Sequence, residues 1–302
     1  MIRTVRFTSG SGDCEAWLYE PQGRAAPGPA VVMAHGLGAI KEAGLAPYAE
    51  RFAGAGYTVL VFDYRHFGGS SGEPRQLLSV RRQLEDWRSA LAWVRSLDLV
   101  DPGSVVAWGT SFGGGHVLSI AAEDERLAGA IAQCPFTDGI ASTLRVPPLA
   151  SLRLTALALR DLAGSKFGRP ALLVATVGEP GSLAFMATLD AMAGYRALTA
   201  GIDDFDERIT ARSVLDIVRY GPGRQARRIS CPVHVAICDE DSVAPAARAT
   251  RQVSRAARAE VVHYPIGHFD IYTGEPFEQA VAGYLDFLER TVPAGRSTQP
   301  PP

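Results

Sequence analysis

The stretch VVAWGTSFGGGHVLSIAA, residues 105–122, decides the fold. An apolar run that reads as a strand buried on both faces enters Gly109-Thr110-Ser111-Phe112-Gly113 and leaves as an Ala-rich helical run. The pentapeptide fits G-x-S-x-G, in which a serine sits on a sharp strand-to-helix turn that lifts its Oγ above the sheet. Gly109 and Gly113 occupy positions where a side chain would collide with a neighbouring strand or helix. Gly114 and Gly115 let the start of the helix pack closely, and its free N–H groups and positive dipole end point at the serine. Such a pentapeptide is weak evidence in a chain with 31 glycines. Its place between strand and helix gives it weight.

Working outward, PAVVMAHG (29–36), TVLVFDYR (58–65), SVVAWGTS (104–111), GAIAQCP (129–135), PVHVAICD (232–239) and AEVVHYP (259–265) are further buried-strand runs. Val5–Thr8 and Glu15–Tyr19 alternate around a Gly/Ser turn and read as an antiparallel pair. Between most strands lie helical patterns. Val80, Leu84, Trp87, Leu91, Val94 and Leu97 share one face, and a last helix carries Phe277, Val281, Tyr284, Leu285 and Leu288. Strands alternating with helices predict a mostly parallel α/β sheet of about eight strands, covered on both faces, with ligands at the carboxyl strand ends. About 90 residues separate two of the strands, too many for one crossover or a structureless loop. Residues 140–229 therefore read as an inserted, mainly helical cap on a core of 1–139 and 230–293. The tail, 294–302, has nothing to bury and reads as disordered.

Composition narrows the classes. The 302 residues are 47% hydrophobic with a net charge of −2, and the charges are interspersed. No basic stripe indicates nucleic acid, and no polybasic patch or long apolar segment indicates a membrane. Arg supplies 28 of the 30 basic residues, as in a GC-rich genome. Cys14, Cys134, Cys231 and Cys238 have neither C-x-x-C spacing nor the density of a disulfide scaffold, and no signal peptide opens the chain. These features predict a cytoplasmic protein. DYRHFGGSSGEPR (63–75) is Gly-rich but lacks the phosphate-loop pattern, and Asp63 and Arg65 read as structural. No metal-ligand spacing or dinucleotide fingerprint occurs, so no cofactor is expected.

A serine hydroxyl needs a base, and the base an orienting acid. Of six histidines, His268 lies just after the last strand and is the expected base. His35 looks structural, His66 lies in a loop, His234 and His263 fall within strands, and His116 on the following helix points away from the serine. Asp241, at the end of the VHVAICD strand, is the expected acid, with Asp239 and Asp138 as competitors. The second oxyanion donor, beside the N–H of Phe112, is expected from HGLG after the first parallel strand, at Leu37 with Gly36 behind it.

HGLGAIKE, DYRHFGGSSGEPR, GTSFGGGH, CDEDSVAP and GHFDIY, taken in order, resemble the α/β-hydrolase superfamily over nearly the whole chain. There D-x-V-x-P marks the acid, here Asp241 to Pro245, and Gly-His-Phe the base, although HGLG departs from the HGGG of hormone-sensitive-lipase-like esterases. QCPFTDG and GEPGSLAFM are similar to bacterial hydrolases related to fungal polyketide thiohydrolases and transferases, with a looser likeness to Xaa-Pro dipeptidyl-peptidase and cocaine-esterase relatives. The expected activity is serine-dependent hydrolysis of an ester or thioester. The alternatives are acyl transfer, an Xaa-Pro-type peptidase and, last, a non-catalytic binding protein. The serine in the elbow sets aside an Asp-nucleophile enzyme. Expected partners are a small acyl ester or thioester, without nucleic acid or membrane, and with a homodimer left open. Phe185, Met186 and Leu149 are the candidate pocket residues, within a cap wall that also includes Leu152 and Leu157.

Overall fold

A computed structural model describes residues 1–21 and 27–294. The expected tail therefore lies, from residue 295 on, outside the described residues. The chain opens with the hairpin β1 (Ile2–Ser9) and β2 (Gly12–Tyr19), then runs β3 (Gly28–Ala34), α1 (Ala46–Gly54), β4 (Thr58–Phe62) and α2 (Val80–Arg95). It continues through β5 (Val100–Thr110), α3 (Phe112–Ala121) and β6 (Gly129–Gln133). A long excursion follows, with α4 (Gly139–Thr143), α5 (Pro148–Ser165), β7 (Leu173–Val177), β8 (Ala184–Met186), α6 (Leu189–Thr199), β9 (Arg208–Thr210) and α7 (Ser213–Arg219). The chain returns through β10 (Val233–Cys238), α8 (Ala246–Val253), β11 (Ala259–Tyr264) and α9 (Gly274–Thr291).

Eight strands form one sheet in the order β1-β2-β4-β3-β5-β6-β10-β11. Only the pairings made by β2 are antiparallel; the others run parallel. Alternate residues divide between two apolar layers, as the strand period of two requires. Ala30, Val32, Leu60, Val105 and Ala107 pack under α2, α3 and α8. Val31, Met33, Val59, Val106 and Trp108 pack against Tyr48 and Phe52 of α1 and Tyr284 and Phe287 of α9. Both faces are covered, which is why these strands carry unbroken apolar runs. The chain leaves β3 toward β4, then crosses to β5 on the other side. The strand order thus reverses at β3 and opens a crevice at the carboxyl ends of β3 and β5.

The excursion between β6 and β10 differs in one respect from a mainly helical insertion. ALLVATVGEPGS, readable as strand or loop, contains β7, the centre of a separate three-stranded sheet β8-β7-β9. A five-residue apolar run has no periodicity to separate these readings. Asp161 of α5 ties the helix to this sheet: its buried carboxylate accepts the N–H of Leu172 (2.9 Å) and of Arg212 (3.0 Å) and pairs with the Arg212 guanidinium (2.8 Å). Asp161→Ala leaves that guanidinium and two amides unanswered. It should destabilise the protein by about 3 kcal/mol, the low end for breaking a buried pair since Arg212 is partly exposed. Denaturant unfolding checks this, and a loss under about 1 kcal/mol would show that the latch is dispensable.

Candidate active site

β5 ends at Thr110, and Ser111 adopts φ +56°, ψ −118° before α3 begins. Left-handed backbone at a non-glycine residue is strained and persists only when its surroundings fix it. Three main-chain bonds do so: the Ser111 N–H donates to Gln133 O (2.8 Å), while the Ser111 carbonyl accepts from Gly115 (3.1 Å) and Phe136 (2.9 Å). The run of glycines answers three separate close approaches. A Cβ at Gly113 would strike the carbonyls of Ala34 and His35, one at Gly114 would lie 3.0 Å from Gln133 O, and one at Gly115 would strike Phe136 O. Gly109 faces the Gly113 carbonyl in the same way, and a Cβ at Gly36 would come within 2.9 Å of the Ser111 Cβ.

The serine meets residues from the ends of two other strands. His268 Nε2 lies 3.0 Å from Ser111 Oγ, and His268 Nδ1 lies 2.5 Å from Asp241 Oδ2. All three are buried. The other carboxylate oxygen of Asp241 accepts the N–H groups of Val243 (2.7 Å) and Ala244 (2.6 Å), so the D-x-V-x-P turn aims the acid with its own backbone. The competing acids are engaged elsewhere. Asp239 pairs with His263 at 2.6 Å in an exposed position, and Asp138 caps α4 and holds Arg248 at 2.5 Å. Two of the remaining imidazoles are held in the interior. His116 is buried between Tyr220 and Gln83, and burial brings its pKa down to about 3. His35 is buried as well, lowered to about 4, and both rings are therefore neutral.

The N–H groups of Phe112 and Leu37 have no acceptor among the described residues, and both residues border the cleft that contains Ser111. The loop carrying Leu37 is anchored by a residue the sequence reading did not single out. Lys41 is buried; its Nζ lies 2.7 Å from Asp63, 2.9 Å from Glu42 and 3.1 Å from Glu15, and its N–H donates to Asp63 at 2.6 Å. Its being one of two lysines in the chain was the available signal.

Two cavities meet at Ser111. The larger, about 1090 Å³ of empty space open to solvent, is bordered by Phe136, Val146, Leu154, Phe185, Met186 and Val214, among others. The smaller, about 410 Å³, lies between His268, Phe269, Tyr195 and Tyr272. Phe185 and Met186 thus line the cleft. Leu149 does not: it is 59% exposed on the outside of α5. At about 100° per residue, Leu149 sits roughly 140° around the helix from Leu154, which faces the cleft. Leu152 is exposed as well, and Leu157 packs against the cluster of Leu154, Ala158, Val174 and Val214. Among the described residues no cluster of three or more His, Cys, Asp or Glu is placed to hold a metal ion, and no helix is long and apolar enough to cross a membrane.

A family model described as Serine aminopeptidase, S33 (Hydrolase_4) matches residues 25–269. The chain belongs to this family of α/β-hydrolases. Similar proteins include the quorum-quenching protein AidA of Acinetobacter baumannii, 50% identical over 289 residues that span 96% of this chain and 95% of that one. The polyketide transferase grgF of a Penicillium species is 28% identical, each chain 95% covered. A crystal structure of the α/β-hydrolase GrgF superposes with a TM-score of 0.84 at 27% identity, covering 96% of this hydrolase and 99% of that chain. A thiohydrolase of Eupenicillium brefeldianum is 26% identical over 94% of this chain and 92% of its own.

Burial opposes protonation of His268, but the adjoining Asp241 carboxylate, together with Cys134, outweighs it and holds the imidazole well above its ordinary 6.5. A raised folded-state pKa adds stability that is complete below about pH 6.5 and fades as pH rises through the folded value. The difference in melting temperature between wild type and Asp241→Asn should therefore be widest near pH 6 and narrow in alkali. A difference independent of pH would show that the pair does not raise the imidazole.

Proposed function

We propose that this hydrolase is a serine esterase or thioesterase acting on a small to medium, mostly apolar acyl substrate. The observation that carries the proposal is the unbroken line Ser111 Oγ, His268, Asp241, 3.0 and 2.5 Å long, beside two unengaged main-chain N–H groups and an apolar cleft. Ser111 Oγ attacks the carbonyl carbon as His268 Nε2 takes its proton. Negative charge gathers on the carbonyl oxygen, facing the N–H groups of Phe112 and Leu37, where fixed donors lower the barrier most. Collapse of this intermediate breaks the carbonyl–oxygen or carbonyl–sulfur bond, and His268 returns the proton to the departing alkoxide or thiolate. Water, deprotonated by His268, then releases the acid from Ser111. The residues from 140 to 229 act as the cap. In this reading the larger cavity takes the acyl chain, walled by Phe185, Met186 and Leu154, and the smaller takes the leaving group.

Relatives named as a thiohydrolase and a polyketide transferase support acyl chemistry on thioesters. The quorum-quenching relative supports a small-molecule substrate. Acyl transfer differs only in the last step, where an alcohol or amine bound in the smaller cavity replaces water.

A panel of p-nitrophenyl esters and acyl thioesters of rising chain length tests the reading. Asp241→Asn should lower turnover by roughly 10⁴-fold through the wrong imidazole tautomer, whereas Asp239→Asn and Asp138→Asn should cost far less. Phe185→Ala and Met186→Ala should shift relative kcat/KM toward longer chains. Equal losses at all three aspartates, with no shift in chain length, would contradict these assignments.

A further inference from the structure

The cap carries a face that neither the fold nor the chemistry uses. Between residues 139 and 178 the chain has five basic side chains, Arg145, Arg153, Arg160, Lys166 and Arg169, and a single acid, Asp161, in a protein of net charge −2. That acid is buried against Arg212, so α5 and its flanking turns present no carboxylate to solvent. Among the described residues, Arg153, Arg160, Lys166 and Arg169 have no carboxylate within ion-pair distance, and all four are exposed. Helix α5 is apolar on two sides. Leu154, Ala158 and Asp161 face inward. Leu149, Leu152, Ala156, Leu159 and Ala163 step by 3, 4, 3 and 4 along the outer side, where a second apolar stripe lies open to water. Leu144, 81% exposed, and Phe167, 80% exposed, extend the stripe at either end. An isolated exposed leucine needs no explanation, but a continuous stripe along a helix of about 27 Å does.

Charge selects what covers it. Arg153 and Arg160 each follow a stripe leucine, at equivalent positions seven residues apart on one flank. If a second copy packed its α5 antiparallel against this one, these flanks would face each other, arginine to arginine, and α5 has no exposed acid to separate them. Packed parallel, the arginines would meet Thr155 and Leu162, which offer no negative charge. A helix with leucine and phenylalanine on one side and unpaired cations along its edges matches instead an interface of acyl chains beneath anionic headgroups.

We propose that α5 and its flanks dock on an anionic lipid surface, with the Leu149–Leu152–Leu159 stripe among the acyl chains and Arg153, Arg160, Lys166 and Arg169 at the headgroups. Pro147, Ser151, Leu154 and Thr155, at the start of the same helix, border the larger cavity, so docking brings its mouth alongside the bilayer. The inference does not depend on the chemistry assigned to Ser111. Interspersed spacing hid the patch from the sequence reading. Four cations scattered over a segment form no run, and only the fold sets Arg153 and Arg160 of α5, with Lys166 and Arg169 just beyond its end, beside one apolar stripe.

The full-length chain should be mixed with vesicles of phosphatidylcholine alone and of equal parts phosphatidylcholine and phosphatidylglycerol, sedimented, and measured in parallel by light scattering. Binding is expected to the anionic vesicles only and should weaken with salt. The double variant Arg153→Glu, Arg160→Glu should bind on the order of 100-fold more weakly, and Leu152→Ser, Leu159→Ser at least roughly 10-fold more weakly. All four positions are exposed, and unchanged melting curves establish that the variants fold. Failure of the wild type to bind anionic vesicles at low salt, or binding unchanged in both variants, overturns the proposal. So does a wild-type dimer that the leucine variant converts to monomer, since the stripe then belongs to a second copy.

Discussion

The left-handed backbone of Ser111 is the constraint on which the rest of the site depends. A serine held there costs on the order of 1–3 kcal/mol of strain. The conformation lasts because the main chain of Gln133, Gly115 and Phe136 bonds to both sides of the residue. Those bonds require the start of α3 to press against the ends of β3 and β6, and any side chain at Gly113 or Gly115 would strike a backbone carbonyl. The sharp turn has two consequences. It raises Oγ above the strand ends, and it leaves the N–H of Phe112, first in the helix, without an acceptor on the cleft side.

Sheet order supplies the rest. Because the strand order reverses at β3, the loops after β3 and β5 part and leave room for a ligand between them, with Leu37 on one side and Ser111 on the other. β10 and β11 run parallel to β6 and end on the same edge, which brings Asp241 and His268 to the serine from 130 and 157 residues away. Beneath the site the polar groups are closely answered. Tyr284 donates to Gln133 (2.9 Å), Gln133 donates to Thr110 (3.1 Å), and the Thr110 and Tyr272 hydroxyls bond to each other. A buried polar network that is satisfied in this way holds the strand ends in one arrangement.

What could be read in the sequence was whatever backbone geometry writes in residue types at fixed spacing. The elbow is legible because close backbone approach demands glycine at set positions around Ser111. The end of β10 is legible because a strand buried on both faces is a nearly unbroken apolar run, so the acids just beyond it stand out, whereas β11 is a partly exposed edge strand that carries Glu260 and His263. Asp241 and Asp239 differ only in the direction they leave the turn, which a strand end does not encode but the proline of D-x-V-x-P hints at. Leu149 was misplaced because α5 is apolar on both sides, and periodicity alone cannot say which side turns inward. Lys41 was missed because two of its three carboxylates, Glu15 and Asp63, come from separate segments and meet it only after the sheet forms, while the third, Glu42, is its neighbour in the chain.

The central claim is that Ser111 is the nucleophile of an acyl-transfer site. It is tested most directly by treating the folded protein with a fluorophosphonate and locating the adduct by intact-mass and peptide mass spectrometry. One equivalent is expected, carried on Ser111, with none on a folded Ser111→Ala variant. An adduct on a different residue, or a folded wild-type protein that hydrolyses esters yet takes up no label at Ser111, would contradict it.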